Sequence, residues 1–116
     1  MIIQQVGPTV AVSKKLTTTS ATTIYTGKKN IFAECISIRV TNTDSTARTV
    51  TVQRYDDSAS ESFDIASGQS IAANTSELID LAGLRLDPGD EIRATAGLAN
   101  TMHVVLTMRV INGRNG

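Results

Sequence analysis

Alternation between apolar and polar residues is the feature that most constrains how this chain can fold. It is clearest in the stretch Ile36–Tyr55, where two alternating runs are separated by the turn-forming link Asn42–Ala47. A period of two places one set of side chains on each face of a strand. We therefore interpret the stretch as a hairpin, or as two adjacent strands, with one apolar and one polar face. The residues expected to point inward are Ile36, Ile38, Val40, Val50 and Val52.

More alternating runs follow, separated by turn signals every eight to twelve residues or so. The last run predicts a strand whose apolar face should meet that of Ile36–Tyr55 across the core. Its inward residues are expected to be Met102, Val104, Leu106, Met108 and Val110, and those of the run before it Ile92, Ala94 and Ala96.

Two intervening segments are less regular. Phe63 and Ile65 are expected to point inward from a short strand that ends at a turn over Ser67–Gln69. Ser76–Leu86 has the apolar content of a short helix or a strand, but Gly83 interrupts the helical alternative. Two short strands, or one strand with a turn, fit this segment better.

The parity of the apolar residues changes near Cys35. Odd positions are apolar at Ile31, Ala33 and Cys35, whereas even positions are apolar from Ile36 onward. One inserted residue moves the side chains that follow to the other face of a sheet. This favours a bulge or a sheet-crossing bend over a strand that is covered on both faces.

These features predict an all-β fold, a single antiparallel β-sandwich or jelly-roll-like domain of about eight strands. Residues 1–15 form either an N-terminal arm or the first strand, and both interpretations stay open. Residues 16–111 form the sandwich, and residues 112–116 a polar tail.

Charge and apolar patterning exclude two classes of partner from the prediction. The chain has 11 basic and 11 acidic residues, without the basic excess typical of proteins that bind nucleic acid. The pairs Lys14-Lys15 and Lys28-Lys29 are interpreted as solvated surface. The N-terminus lacks the pattern of a signal peptide, and no apolar run is long enough to cross a bilayer. We expect no nucleic acid and no membrane among the partners.

No group of residues specifies a reaction. His103 is the single histidine and has no suggestive metal-ligand or catalytic partners in the sequence. Cys35, the single cysteine, is interpreted as a small buried hydrophobe, with an intermolecular bridge as the alternative. We therefore predict a non-enzymatic protein with no catalytic, cofactor-binding or metal-binding residues.

Two acidic segments have structural interpretations. Asp56–Glu61 lacks the ligand spacing of a regular calcium loop and is expected to be exposed. Asp87–Asp90 reads Asp-Pro-Gly-Asp, which predicts a type II turn because Pro fixes a negative φ and Gly supplies a positive one. Asp87 and Asp90 are expected to cap this turn and remain in solvent.

The succession of strands and turns resembles the small β-sandwich structural proteins of tailed bacteriophages, found as capsid decoration, fibre and tail modules. The segments that carry the resemblance are Thr23-Ile24-Tyr25-Thr26, Ile36–Asn42, Thr49-Val50-Thr51-Val52, Leu86–Ala94 and the final apolar strand. The resemblance implies a virion protein that is made in the host cytoplasm and held by contacts with copies of itself, with the major capsid protein or with another virion protein. It brings no catalytic residues.

A capsid decoration (cement) protein is the preferred function, because the chain has the size of one domain. A tail, fibre or baseplate component is the nearest alternative. A carbohydrate-binding or adhesin module is the alternative of another class. Such a module needs exposed aromatic residues, and this chain could use only Tyr25, Tyr55, Phe32 and Phe63.

The alternation predicts opposite outcomes for two adjacent substitutions. Ile38→Asp should prevent folding, because it buries a lone carboxylate, whereas Arg39→Ala on the polar face should leave the fold intact. Circular dichroism and thermal unfolding of the two purified variants measure this. A soluble, folded Ile38→Asp protein would show that the register is wrong.

Overall fold

The computed structural model describes the backbone of residues 2–115 and the side chains of residues 9–111. Eight strands make up the fold. Their bounds are β1 Ile2–Leu16, β2 Thr22–Thr26, β3 Ile31–Asn42, β4 Arg48–Asp56, β5 Glu61–Ile71, β6 Ser76–Leu86, β7 Glu91–Ala96 and β8 Met102–Asn115. No helix in the described part of the chain has the length and apolar character needed to span a membrane.

The strands form two antiparallel sheets of four. Sheet one has the order β1-β8-β3-β6 and sheet two the order β2-β7-β4-β5. Every link except the β4–β5 hairpin crosses from one sheet to the other, which gives the jelly-roll arrangement. The all-β sandwich predicted from the alternation is confirmed.

The core lies between the two sheets and is built from aliphatic side chains. In β8, Met102, Val104, Leu106 and Met108 are buried, while Val110 is half-buried. The predicted inward residues of β4 and β7 are buried as well. Burying such side chains stabilises the fold by about 1.5–3 kcal/mol each before entropy is subtracted.

The predicted bulge in β3 is confirmed. The pairings of β3 with both of its neighbours shift register between Cys35 and Ser37. Ile36 is the extra residue relative to β8, whereas β6 places three residues, Leu81–Gly83, opposite it. Ala33 and Cys35 face the core before the bulge, and Ile38 faces it afterwards. Ile36 itself is half-buried, so its predicted place in the core is wrong.

The interpretation of Ile36–Tyr55 as a hairpin or an adjacent pair is wrong. β3 lies in sheet one and β4 in sheet two, so their apolar faces meet across the core. β8 was expected opposite β3, but it is hydrogen-bonded beside β3 in the same sheet. Alternation identifies the inward face of each strand, and it carries no information about which strands are neighbours.

β5 and β6 each continue past a glycine at which the sequence predicted a turn or an interruption. Gly68 and Gly83 have positive φ, at 57° and 87°, and sit at irregularities in strands that then continue. Glycine adopts this conformation at little steric cost, so it can form a bulge without ending the strand. Phe63 was predicted to point into the core but is 48% exposed, because β5 is an edge strand with few contacts across the sandwich.

The two ends of the chain pair with each other in the backbone. β1 runs antiparallel to β8 from the pair Ile2–Asn115 to the pair Leu16–Met102, with a shift between Val6 and Thr9. β8 therefore continues where the sequence suggested a polar tail. The division into residues 1–15, 16–111 and 112–116 stays a prediction about folding units.

The predicted turn at Asp87–Asp90 is present. The backbone N–H of Asp90 donates to the carbonyl of Asp87 at 3.0 Å, and Gly89 has a φ of 90°. Gly27 lies directly against this turn: its N–H donates to the Asp90 carbonyl at 2.7 Å and its carbonyl accepts from Gly89 at 3.0 Å. A Cβ on Gly27 would collide with the Asp87 carbonyl, so only glycine fits there.

Strand neighbours can be tested by cross-linking. Arg39 and Val105 are directly opposed in β3 and β8, so the pair Arg39→Cys/Val105→Cys should form a disulfide on mild oxidation. Intact mass and thiol titration in denaturant measure it. The matched control is Arg39→Cys/Thr51→Cys, which a β3–β4 hairpin would bring together and which opposite sheets keep apart. Bridging of the control pair alone would contradict this topology.

Candidate functional site

Asp90 is the one buried charged residue among the side chains that the structure describes, with 3% of its surface exposed. It is the last residue of the Asp-Pro-Gly-Asp turn and comes directly before β7. The expectation that it stays in solvent is wrong. The turn motif could not indicate burial, since an Asp at the end of such a turn caps it whether the side chain is buried or exposed.

Three donors surround the Asp90 carboxylate. Arg54 Nη2 donates to Oδ2 at 2.7 Å, the Asp87 backbone N–H donates to Oδ2 at 2.9 Å, and the Asp57 backbone N–H donates to Oδ1 at 2.9 Å. Arg54 also donates from Nε to the Arg85 carbonyl at 3.1 Å. The carboxylate thus joins the β6–β7 turn to the end of β4.

This arrangement favours a structural role for Asp90. Its two oxygens accept three hydrogen bonds and are buried, so a metal ion or a substrate could reach them only if the cluster opened. Buried polar groups that are fully paired rigidify a fold. Asp87, by contrast, forms an exposed ion pair with Arg85 at 2.8 Å.

His103 lies on the outer face of sheet one, exposed and directly opposite Lys15 and Thr41. It lines an open groove of about 340 Å³ between β1 and β8. The groove is lined by Ser13, Lys14, Lys15, His103, Val104 and Val105. No acid or thiol lines the groove, so it holds nothing that would orient or activate the imidazole.

Cys35 is 1% exposed in the core. Burial raises the pKa of its thiol to about 11, although the charge of Arg54 partly opposes this. A neutral, buried thiol is a poor nucleophile. It also cannot reach a second chain without opening the sandwich, so the structure favours the buried hydrophobe over the intermolecular bridge.

The acidic segment after β4 is the hairpin loop that leads to β5. Asp56 accepts hydrogen bonds from the hydroxyl of Ser58 at 2.7 Å and from its N–H at 3.1 Å. The Ser58 hydroxyl is the main cause that holds the pKa of Asp56 below its usual value. Among the described residues, no group of three or more His, Cys, Asp or Glu side chains could hold a metal ion.

The four aromatic side chains do not form a shared surface. Arg85 stacks over the Phe32 ring at 4.0 Å, and Arg93 over the Tyr55 ring at 4.1 Å. Tyr25 packs against the core, and Phe63 is exposed at the β5 edge. Phe32 belongs to sheet one and the other three to sheet two. This distribution gives no row of stacking platforms for a sugar chain.

Sequence reasoning missed Asn42, which is fully buried at the end of β3. Its Nδ2 donates to the carbonyls of Thr46 and Ile71 at 3.0 Å each, and its Oδ1 accepts from the Asp44 N–H at 2.9 Å. The parity of β3 after the bulge already placed position 42 inward. A polar residue on an inward position was the signal that could have found it.

No protein-family model matches this chain, and no curated protein matches it. Several solved structures do. One is a protein of Bacillus endospore appendages, described as disulfide-linked pili, with 16% identity over 98% of this chain and 89% of that chain and a TM-score of 0.55.

Two viral structures are also similar. A chain from the acid-stable capsid of Helicobacter pylori bacteriophage KHP30 has 10% identity, covers 100% of both chains and gives a TM-score of 0.50. A chain of infectious bursal disease virus, Gx strain, has 7% identity and a TM-score of 0.53, and this chain spans 32% of its length. At these identities the likeness shows the fold alone: a β-sandwich that also occurs in viral and pilus proteins.

The Asp90 cluster can be tested by removing one charge. Asp90→Asn should lower the free energy of unfolding by about 2 kcal/mol, because it leaves Arg54 with only its longer ion pair to Asp56, at 3.6 Å. The loss is moderated because 20% of the Arg54 side chain is exposed. Urea unfolding at neutral pH measures it. Asp87→Asn is the control and should change stability by less than about 0.5 kcal/mol; equal losses would contradict the central role of Asp90.

Proposed function

We propose that this chain is a non-enzymatic structural protein of a virion, and specifically a decoration protein that binds and stabilises a capsid shell. The observation that carries the proposal is the likeness to a chain of the KHP30 capsid, which covers 100% of both chains. Whole chain matches whole chain there, whereas the bursal disease virus chain is matched over 32% of its length. The likeness over the whole of a chain from a capsid structure is what supports the proposed virion role.

The chemistry of the described residues supports a role in binding rather than catalysis. The Asp90 carboxylate is buried and accepts three hydrogen bonds, and Cys35 is buried. His103 stands in an open groove lined by no acid. An active site normally combines a pocket with convergent, perturbed groups, and the described residues hold no such combination.

The outer faces of the sheets are suited to broad, shallow contacts. They carry short hydroxyl side chains on neighbouring strands, including Thr41 and Thr107 on sheet one and Thr51 and Thr95 on sheet two. Such surfaces hydrogen-bond without ordering long side chains, which keeps the entropic cost of a contact low. A shell that presents many copies of a weak site can still hold the chain firmly, because avidity multiplies weak contacts.

The pilus-like comparison points to a different mode of assembly. The similar endospore appendages are described as disulfide-linked pili. In this chain the single cysteine is buried, so a disulfide cannot link copies while the fold stays intact.

The first test is whether a major capsid protein is encoded beside this chain; if so, expanded empty shells assembled from it are the binding target. The purified chain should co-sediment with the shells to a fixed stoichiometry and raise their melting temperature until the sites are filled. Tails from the same virus and a glycan array provide the comparison. Absence of binding and of any thermal shift would exclude a decoration role; binding to tails alone, or a reproducible glycan ligand, would favour the respective alternative.

A further inference from the structure

The sandwich has two flanks where its edge strands are unpaired. Sheet one ends at β1 and β6, and sheet two at β2 and β5. β1 contacts β2 across the sandwich and β5 contacts β6, so each flank consists of one edge from each sheet. Edge strands present free backbone N–H and C=O groups that can pair with another chain.

The two flanks carry opposite charge. β1 contains Lys14 and Lys15 and no acid, and β2 contains no charged residue. The acids of the opposite flank are Glu61 and Asp64 in β5 and Glu77 and Asp80 in β6. The single base of that flank, Arg85, is paired with Asp87. None of the four acids is in an ion pair among the described residues.

The register of sheet one places the opposite charges at the same level. Lys14 pairs with Val104, Val104 with Val40, and Val40 with Glu77. Lys14 and Glu77 are thus the two ends of one row across the sheet, and both are exposed. The three antiparallel pairings also make β1 and β6 antiparallel to each other. A second copy set beside the first would continue the antiparallel pattern.

We propose that this chain associates head-to-tail with a second copy of itself, with the β1 edge of one copy along the β6 edge of the next. Continuing the rows places Ala11–Lys15 opposite Ser76–Asp80, with Lys14 facing Glu77. The contact also covers part of Leu78, which is 57% exposed beside the β6 edge. The contact ends where β6 bulges: three residues, Leu81–Gly83, stand opposite the single residue Ile36.

The charges favour this pairing over the symmetric ones. Two β1 edges would oppose lysines to lysines, and two β6 edges would oppose acids to acids; like charges placed opposite each other across strands are destabilising. Among the contacts between two sheet-one edges, only β1–β6 is complementary. It is heterologous, so it leads to a ring if the rotation between copies closes and to a filament if it does not. The inference does not depend on the proposed function, because it concerns the purified chain without a shell.

Charge exchange tests the contact directly. Sedimentation velocity of the purified wild-type chain, over a range of concentrations, should show self-association that weakens as salt rises. Lys14→Glu and Glu77→Lys should each weaken the association by roughly tenfold. A chain with both substitutions, and an equimolar mixture of the two single variants, should regain it, since each restores an opposite pair.

The matched control is Lys29→Glu, the same reversal at an exposed position in the β2–β3 link, which should leave association unchanged. Circular dichroism confirms that each variant is folded. A wild-type chain that stays monomeric at every concentration would overturn the proposal. So would single variants that associate like wild type, or a double variant that remains as weak as the singles.

Discussion

One extra residue in β3 decides which side of the central strand faces the core. Ile36 stands outside the regular pairing of β3 with both β6 and β8, and the inward side changes from odd to even positions across it. Without this shift, one half of β3 would turn its polar set inward, since a slip of one residue moves every side chain to the other face. β3 lies in the middle of sheet one, so its neighbours depend on the same device. β6 has an irregularity of its own at Gly83, opposite this position in β3.

Six of the seven links cross between the sheets, and these crossings leave backbone groups at the ends of the sandwich that need partners. Two buried polar side chains meet that need. Asn42 hydrogen-bonds backbone groups at the end of the sandwich where β8 begins. Asp90 does the same at the opposite end, where β3 begins. Each is surrounded by backbone donors or acceptors that it satisfies. These two buried polar side chains therefore hold the links between the sheets in place, and their polar atoms are engaged in those hydrogen bonds.

A fold organised in this way offers surfaces and edges rather than a pocket. The outer faces carry hydroxyl side chains and an open groove, and the two flanks are oppositely charged, although the whole chain has a formal net charge of zero. Net charge alone indicates no preferred partner. The separation of charge onto opposite edges is the basis of the proposed contact between copies. The proposed shell contact and the proposed self-contact use different parts of the surface and can operate together.

The sequence by itself determined the strand class, the inward faces of β4, β7, β8 and the second half of β3, the bulge near Cys35 and the turn at Asp87–Asp90. These features depend on near neighbours in the chain: a period of two, a change of parity, and the φ preferences of Pro and Gly. It also indicated correctly that Ile38 lies inward and Arg39 outward.

Only the tertiary structure decided which strands are neighbours, where β5 and β6 end and which polar groups are buried. Strand order follows from how two sheets close over a shared core, and that depends on contacts between residues far apart in sequence. For this reason β3 and β4 were placed side by side in error, Phe63 was placed in the core, and Asp90 was left in solvent. The charge separation also depends on the tertiary structure, because only the strand order places Lys14 and Glu77 at the two ends of one row across four strands.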